Sequence, residues 1–224
     1  MKSNSTYIIT IDGTSGSGKT TISKSLAKKL SFSLLDSGKL YRSVGFIYLQ
    51  SKESFSDLNS IKGLISKITM SSNTDNNEFE IAFDNKKIDH LLYSEEVSES
   101  ASIVSKIPEV RDCMMKVQKL CVKGRGLIAN GRDMGTEVFP EADLKLYINA
   151  SLDIRAKRRY EELKSKGEDV IVENVYKSLQ KRDESDTKRS ISPLRVPDNA
   201  EIIDTSDLKP DAIVDKILNL YTIT

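Results

Sequence analysis

Residues 13–20 read GTSGSGKT, and Gly13, Gly18, Lys19 and Thr20 fall on the spacing G-x-x-x-x-G-K-[ST]. Those residue types suit one chemistry. Glycines let successive backbone N–H groups turn toward phosphate oxygens, and a helix starting at the end of the motif adds its dipole. An ammonium at Lys19 meets the β- and γ-phosphates of a nucleoside triphosphate, and a hydroxyl at Thr20 suits Mg²⁺. The stretch Gly13, Thr14, Ser15, Gly16, Ser17, Gly18, Lys19, Thr20 and Thr21 is therefore the candidate nucleoside-triphosphate site, with Thr20 as the candidate metal ligand. The plain alternative is a glycine-rich turn between a strand and a helix.

Two further groupings could carry charge chemistry. In LIANGRDMGT, residues 127–136, an apolar run stops at Asn130-Gly131, and the guanidinium of Arg132 is followed at once by the carboxylate of Asp133. Later, RAKRRYEELKSKGEDVIVENVYKSLQKRDESDTKR places Arg155, Arg158, Arg159, Arg182 and Arg189 in two charged helical stretches joined near Gly167. Such a pair of helices fits a lid that closes over phosphates, excludes water and supplies charge to a transition state. It also fits two solvated helices laced by i,i+4 ion pairs, the reading that suits Lys157, Lys164 and Lys166. The triphosphate motif alone does not choose between a kinase, a switch GTPase and a motor.

These residues need a scaffold, and the periodicities supply one. YIITID (Tyr7 to Asp12) is a β-branched run entering the glycine loop, and Ile22, Leu26 and Leu30 then recur at helical spacing. FSLLD precedes a helix carrying Leu40, Val44 and Ile47. GLIAN, DLKLYINA and AEIIDTS repeat the strand pattern, the last two each followed by a helical pattern. Strands alternating with helices imply an α/β fold of three layers with a mainly parallel central sheet. Between about Lys67 and Ile88 the rhythm breaks. Phe79, Ile81 and Phe83 alternate with Glu78, Glu80 and Asp84, the period of a half-exposed antiparallel hairpin, with turns expected in SSNTDNN and DNKK. YSEEVSESASIVSKI and PEVRDCMMKVQKLCVKG read as two helices, the second opened by Pro108. The expected organisation is one domain over residues 1–224: a core of about 1–62, 98–150 and 198–224, an insert of about 63–97 and a lid of about 151–190.

Composition narrows the function classes. With 34 Lys+Arg against 33 Asp+Glu the formal net charge is +1, which lacks the global field of a non-specific nucleic-acid binder. Cys113 and Cys121, eight apart, fit neither a CxxC motif nor a disulfide framework and read as core thiols of a reduced compartment. No apolar run approaches the ~18 residues of a membrane span, so a soluble, cytoplasmic protein is expected. His90, the only histidine, reads as a surface or packing residue.

Taken together, ITIDGTSGSGKTT, LLDSGKLYR, ANGRDMGTEVFPEADLKLYINAS, RAKRR and KRDESDTKRSISPL resemble the bacterial-type cytidylate kinases, in order from residue 7 to about residue 205. The resemblance implies a monomer that phosphorylates CMP and dCMP with ATP and Mg²⁺ and has neither nucleic acid nor membrane as partner. It implies Lys19, Arg132, Arg155 and Arg159 as catalytic cations, and Arg42 with Arg132 on the acceptor's phosphate. Ser102, Arg111 and Asp133, with Ser37 nearby, would read cytosine, whose N4 amino group donates and whose N3 and O2 accept. Arg182, Asp186 and Arg189 match the family's R-D-x-x-D-x-x-R pattern and would contact the nucleoside. One position departs from that pattern: Asn130 stands where an acid is usual. A carbonyl oxygen is kept there and a charge lost, so metal binding is expected to be weaker or to lean on Thr20, ATP oxygens and water.

Overall fold

The structure is a computed structural model and describes residues 6–51, 57–73, 75–165 and 167–223. Thr74 of the expected insert turn and Lys166 lie outside the described residues. Five strands form one sheet in the order β2-β6-β1-β7-β8, and three form a second in the order β3-β4-β5. By its contacts the chain divides into two compact units, residues 6 and 27–129, and residues 7–26 and 130–223. Among the described residues no helix is long and apolar enough to cross a membrane.

In the second unit β1 (Tyr7–Gly13) is buried almost without interruption, as a strand covered on both faces must be. It pairs in parallel with β7 (Leu144–Asn149), which sets Asp12 opposite Tyr147 and Gly13 opposite Ile148. β7 pairs in parallel with β8 (Glu201–Asp204). The glycine loop follows β1 directly, and α1 (Lys19–Leu30) starts on the motif's lysine. Gly13 has φ +144°, and a Cβ there would stand 1.8 Å from the Ile148 carbonyl oxygen, so only glycine fits where the loop leaves the sheet. The expected charged helices are α6 (Leu152–Ser165) and α7 (Val172–Lys188), with Gly167 at φ +81° in the turn between them. α8 (Pro210–Ile223) closes the chain, and Tyr221 meets Tyr7 edge to face at 5.0 Å.

In the first unit β2 (Ser33–Asp36) runs into α2 (Ser37–Gln50), capped by Asp36, whose carboxylate accepts from the Lys39 amide. The run LNSIKGLI, which drew no assignment from periodicity, forms α3 (Leu58–Ile65), where Asp57 accepts from the amides of Asn59 and Ser60. α4 (Glu95–Val104), α5 (Pro108–Lys119) and β6 (Gly126–Asn130) follow. Leu40, Val44 and Ile47 of α2, Ile61 and Ile65 of α3, Val104 of α4, and Val110 and Met114 of α5 share one apolar core.

The insert is a small antiparallel sheet of three strands. β3 (Ile68–Ser72) pairs antiparallel with β4 (Phe79–Phe83), and a turn at Asp84 and Asn85, both at positive φ, adds the short β5 (Lys86–Lys87). Ile81 is buried as its alternation requires, whereas Phe79 and Phe83 are half-buried. Lys39 fastens α2 to this sheet. Its ammonium donates to the Phe79 carbonyl at 2.8 Å and pairs with Asp89, whose other oxygen accepts from the Ile81 amide at 2.9 Å.

Cys121 is buried, which pushes its thiol pKa up to about 12, and Cys113 is half-buried; both are free. A thiol so far from ionisation is a packing group. His90 is exposed on a single 3₁₀ turn, Asp89–Leu91.

α2 and α4 cross closely because position 45 is glycine: a Cβ there would lie 2.6 Å from the Ala101 nitrogen and 2.9 Å from the Val97 carbonyl oxygen. Neither backbone atom can move aside without parting the helices. Gly45→Ala is therefore expected to lower the unfolding free energy by about 1–3 kcal/mol, measured by urea denaturation, whereas Gly63→Ala, which meets nothing within 4 Å, leaves it unchanged or raised.

Candidate active site

The loop of residues 13–20 is held through its carbonyls. The Thr14 carbonyl accepts from the Lys19 ammonium at 2.5 Å and from the Ser17 hydroxyl at 3.0 Å. The Ser15 carbonyl accepts from Arg155 Nη1 at 2.9 Å, and the Ser17 carbonyl from the Thr205 hydroxyl at 3.0 Å. Thr205 is in turn clasped by Arg158, whose Nη2 reaches the Thr205 carbonyl at 2.6 Å and the Ser206 carbonyl at 3.3 Å. Gly16 and Gly18 sit at φ +76° and +88°, where glycine is the default residue. Thr14 donates to Asn149 Oδ1 at 2.9 Å. Thr20 and Thr21 are exposed at the start of α1.

Lys19 is buried, and its pKa is pushed well below the usual lysine range, first by burial and then by the Arg132 guanidinium. Two cations brought near one another call for an anion between them, and phosphate oxygens would restore the ammonium. Thr20 Oγ1 accepts from Asn130 Nδ2 at 3.3 Å, so the position expected to hold an acid holds an amide hydrogen-bonded to the candidate metal ligand.

The pair that follows Gly131 is built on Asp12. The Asp12 carboxylate, fully buried, accepts from the Met134 amide at 2.8 Å and the Gly135 amide at 2.7 Å. These amides open a single π-helical turn, Met134–Val138, and are the unpaired donors of a helix start. Gly131 donates to the Ile11 carbonyl at 3.0 Å. A Cβ on Gly135 would come within 2.8 Å of Thr10 Oγ1 and 2.9 Å of Pro197, so this turn approaches β1 only as glycine.

On that turn Arg132 Nε donates to Asp186 Oδ2 at 2.9 Å. Asp133 is buried with Arg189 Nη2 at 3.9 Å, and Arg189 Nε donates to the Ser192 carbonyl at 2.6 Å. Arg132, Asp133, Asp186 and Arg189 thus form one charged cluster. Arg182 lies exposed on α7. Of the arginines of α6, Arg155 is buried against the glycine loop, while Arg159 is half-exposed and pairs with Glu162 at 2.8 Å.

In the first unit Ser37 is buried at the start of α2 and accepts from Gln118 Nε2 at 3.0 Å. Arg111 is buried on α5, donates to the Ser105 carbonyl at 3.1 Å and lies 5.5 Å over the Tyr41 ring. Arg42 lies 5.4 Å over the exposed ring of Tyr93. Ser102 is exposed on α4.

Three residues of these arrangements receive no role from the sequence: Asp12, Asp183 and Gln118. Gln118 carries a signal, being a polar side chain at the end of the buried series Val110, Met114, Gln118 on α5. Asp183 lies inside the R-D-x-x-D-x-x-R pattern, and Asp12 inside a strand where it reads as the last residue before a turn.

Burial raises the Asp12 pKa from 3.8 to about 6, against the opposing pull of its two amide bonds. A carboxyl raised in the folded state contributes its stability below the unfolded value and loses it as pH rises through the folded one. Wild type should therefore lose about 3 kcal/mol relative to Asp12→Asn, neutral throughout, between pH 4 and pH 7. Urea unfolding of both proteins across that range measures it, and a constant gap would refute the assignment.

A model of the cytidylate kinase family matches residues 9–223. A cytidylate kinase of Carboxydothermus hydrogenoformans is 40% identical over 212 residues, 95% of this chain and 96% of that one. Cytidylate kinase 1 of Haemophilus influenzae is 37% identical over 94% of this chain and 91% of that one. Among solved structures, the shikimate kinase of Bacteroides thetaiotaomicron superposes with a TM-score of 0.50 at 12% identity, over 96% of this chain and 98% of that one, a likeness of fold alone. The match to the family model spans the glycine loop, the Arg132–Asp133 turn and the arginines of α6 and α7: this chain belongs to the cytidylate kinase family.

Proposed function

We propose that the protein transfers the γ-phosphoryl group of ATP to CMP and dCMP, giving ADP with CDP or dCDP. The observation that carries this reading is the Asp12 carboxylate, immediately before the loop of Lys19, accepting the amides of Met134 and Gly135, which directly follow Arg132 and Asp133, so that Lys19 and Arg132 belong to segments joined at one strand end. One cation belongs to a triphosphate loop and the other to the turn with Asp133. A donor phosphate on the first and an acceptor phosphate on the second would meet with their charge already balanced.

Each remaining group takes a role from its chemistry. Lys19 and the loop amides hold the donor's phosphates. Arg132, whose planar fork suits two phosphate oxygens, holds the acceptor's phosphate and is joined by Arg42. Asp133 accepts from the cytosine N4 amino group, and Arg111 donates to N3 and O2, with Ser37 and Ser102 as smaller polar partners. Against the O4 acceptor of uracil the Asp133 carboxylate would be repelled. Asp186, Arg182 and Arg189 serve the nucleoside, and Arg155 and Arg159 stand on the helix nearest the donor loop. The acceptor phosphate is already anionic, so an in-line transfer needs positioning and charge neutralisation and no strong base.

Mg²⁺ fits the residues present. Among the described residues no cluster of three or more His, Cys, Asp or Glu side chains could hold a metal by itself. An ion that keeps several waters and binds mainly through substrate phosphates needs little more than the Thr20 hydroxyl. When bound it would neutralise charge on the transferring phosphoryl group. The reading includes a monomer working on freely diffusing nucleotides in the cytoplasm, without nucleic acid or membrane.

A coupled assay of ADP release with ATP and Mg²⁺ tests this against CMP, dCMP, UMP and AMP. CMP and dCMP are expected to exceed UMP and AMP in kcat/KM by about 100-fold or more; equal rates with AMP or UMP would overturn the assignment. Arg132→Lys keeps the charge and loses the fork, and should lower kcat/KM for CMP by about 100-fold.

A further inference from the structure

Ser15 is gripped through both of its backbone groups by one pair of side chains. Arg155 Nη1 donates to the Ser15 carbonyl at 2.9 Å and to Asp183 Oδ2 at 2.6 Å. The other oxygen of Asp183 accepts from the Ser15 amide at 3.3 Å. Arg155 is fastened a second time, its Nε donating to the Ala150 carbonyl at 2.9 Å.

A trans peptide is planar and carries its C=O and N–H on opposite edges. Fixing the Ser15 carbonyl toward Arg155 therefore aims the Gly16 N–H to the opposite side, away from α6. In a loop read as a triphosphate site, that is the side on which phosphate oxygens are met.

We propose that Asp183 is a positioning residue for the donor nucleotide: it holds Arg155 against the Ser15 carbonyl and the Ser15 amide against α7, which presents the Gly16 amide to the donor's phosphates. This rests on the reading of residues 13–20 as the ATP site. Asp183 belongs to α7, three residues before Asp186, which pairs with Arg132. One helix thus addresses the donor loop with its first carboxylate and the acceptor's arginine with its second, and loss of the first should weaken ATP while sparing CMP.

The test uses the full chain with Asp183→Ala and Asp183→Asn, the latter keeping an uncharged acceptor. ATP affinity is measured by calorimetry without acceptor, KM is measured for ATP and CMP, and the Gly16 amide is followed by NMR. In Asp183→Ala the Kd and KM for ATP should rise about tenfold, with KM for CMP within about twofold of wild type and the Gly16 resonance displaced. Asp183→Asn should recover part of the ATP affinity. Unchanged ATP affinity in Asp183→Ala, or equal rises in KM for ATP and CMP, would overturn the proposal. If Asp183→Ala does not fold, Asp183→Asn decides: ATP affinity equal to wild type overturns it, and a selective rise in KM for ATP supports it. Wild type that binds no ATP would instead overturn the reading of the loop itself.

Discussion

The Asp12 carboxylate accepting the amides of Met134 and Gly135 is the contact on which the charged site depends. It stands at the end of β1, one residue before the glycine loop, and fixes the turn whose preceding residues are Arg132 and Asp133. On the proposed function the loop would grip one phosphate and the turn another, and transfer between them would require both to be held to within fractions of an ångström. A rigid strand end bonded to both is a direct way to hold them. Burying that carboxylate is costly, which its raised pKa reports, and the two amides it satisfies would otherwise be orphans at a helix start.

Around this contact the cations are matched locally. The near-neutral sequence resolves into pairs: Arg132 with Asp186, Arg155 with Asp183, and Lys39 with Asp89. Two of these partners are three residues apart on α7, so the helix that bears the carboxylates is itself held down by the site. The arginine-rich stretch accordingly divides. Arg155 and Arg158 hold backbone carbonyls and shape the donor loop, whereas Arg159 remains on the surface with Glu162. Residue type alone leaves the lid reading and the solvated reading open for these arginines, and does not tell the two that hold backbone carbonyls from the one paired at the surface.

What the sequence discloses follows the range of the interactions. The glycine loop, the strand and helix sequence around it and the alternating insert rest on local spacing, and α2 and β6 begin and end where the pattern puts them. The helix α3 drew no reading from the sequence, since eight residues give too few turns for periodicity. The third strand of the insert is two residues long and has no pattern of its own. The Asp12 contact joins residues 122 positions apart, and Arg155 reaches Ser15 over 140. Nothing in the immediate neighbours of either residue announces such a partner. Gln118, buried against Ser37 across 81 positions, is intermediate, because its polarity on an apolar face is a local oddity that only a distant partner explains.

Thr205 carries a consequence for the order in which the molecule is completed. Its hydroxyl supports the Ser17 carbonyl across 188 positions, and it sits just beyond β8 under the clasp of Arg158. The glycine loop leaves the ribosome 188 positions ahead of Thr205, so one of its three carbonyl supports arrives only after β8. A loop closure of that length is slow to form compared with the local helices around it. The nascent chain therefore carries the triphosphate motif without its finished shape until Thr205 has been added, and the loop is completed only when β8 docks.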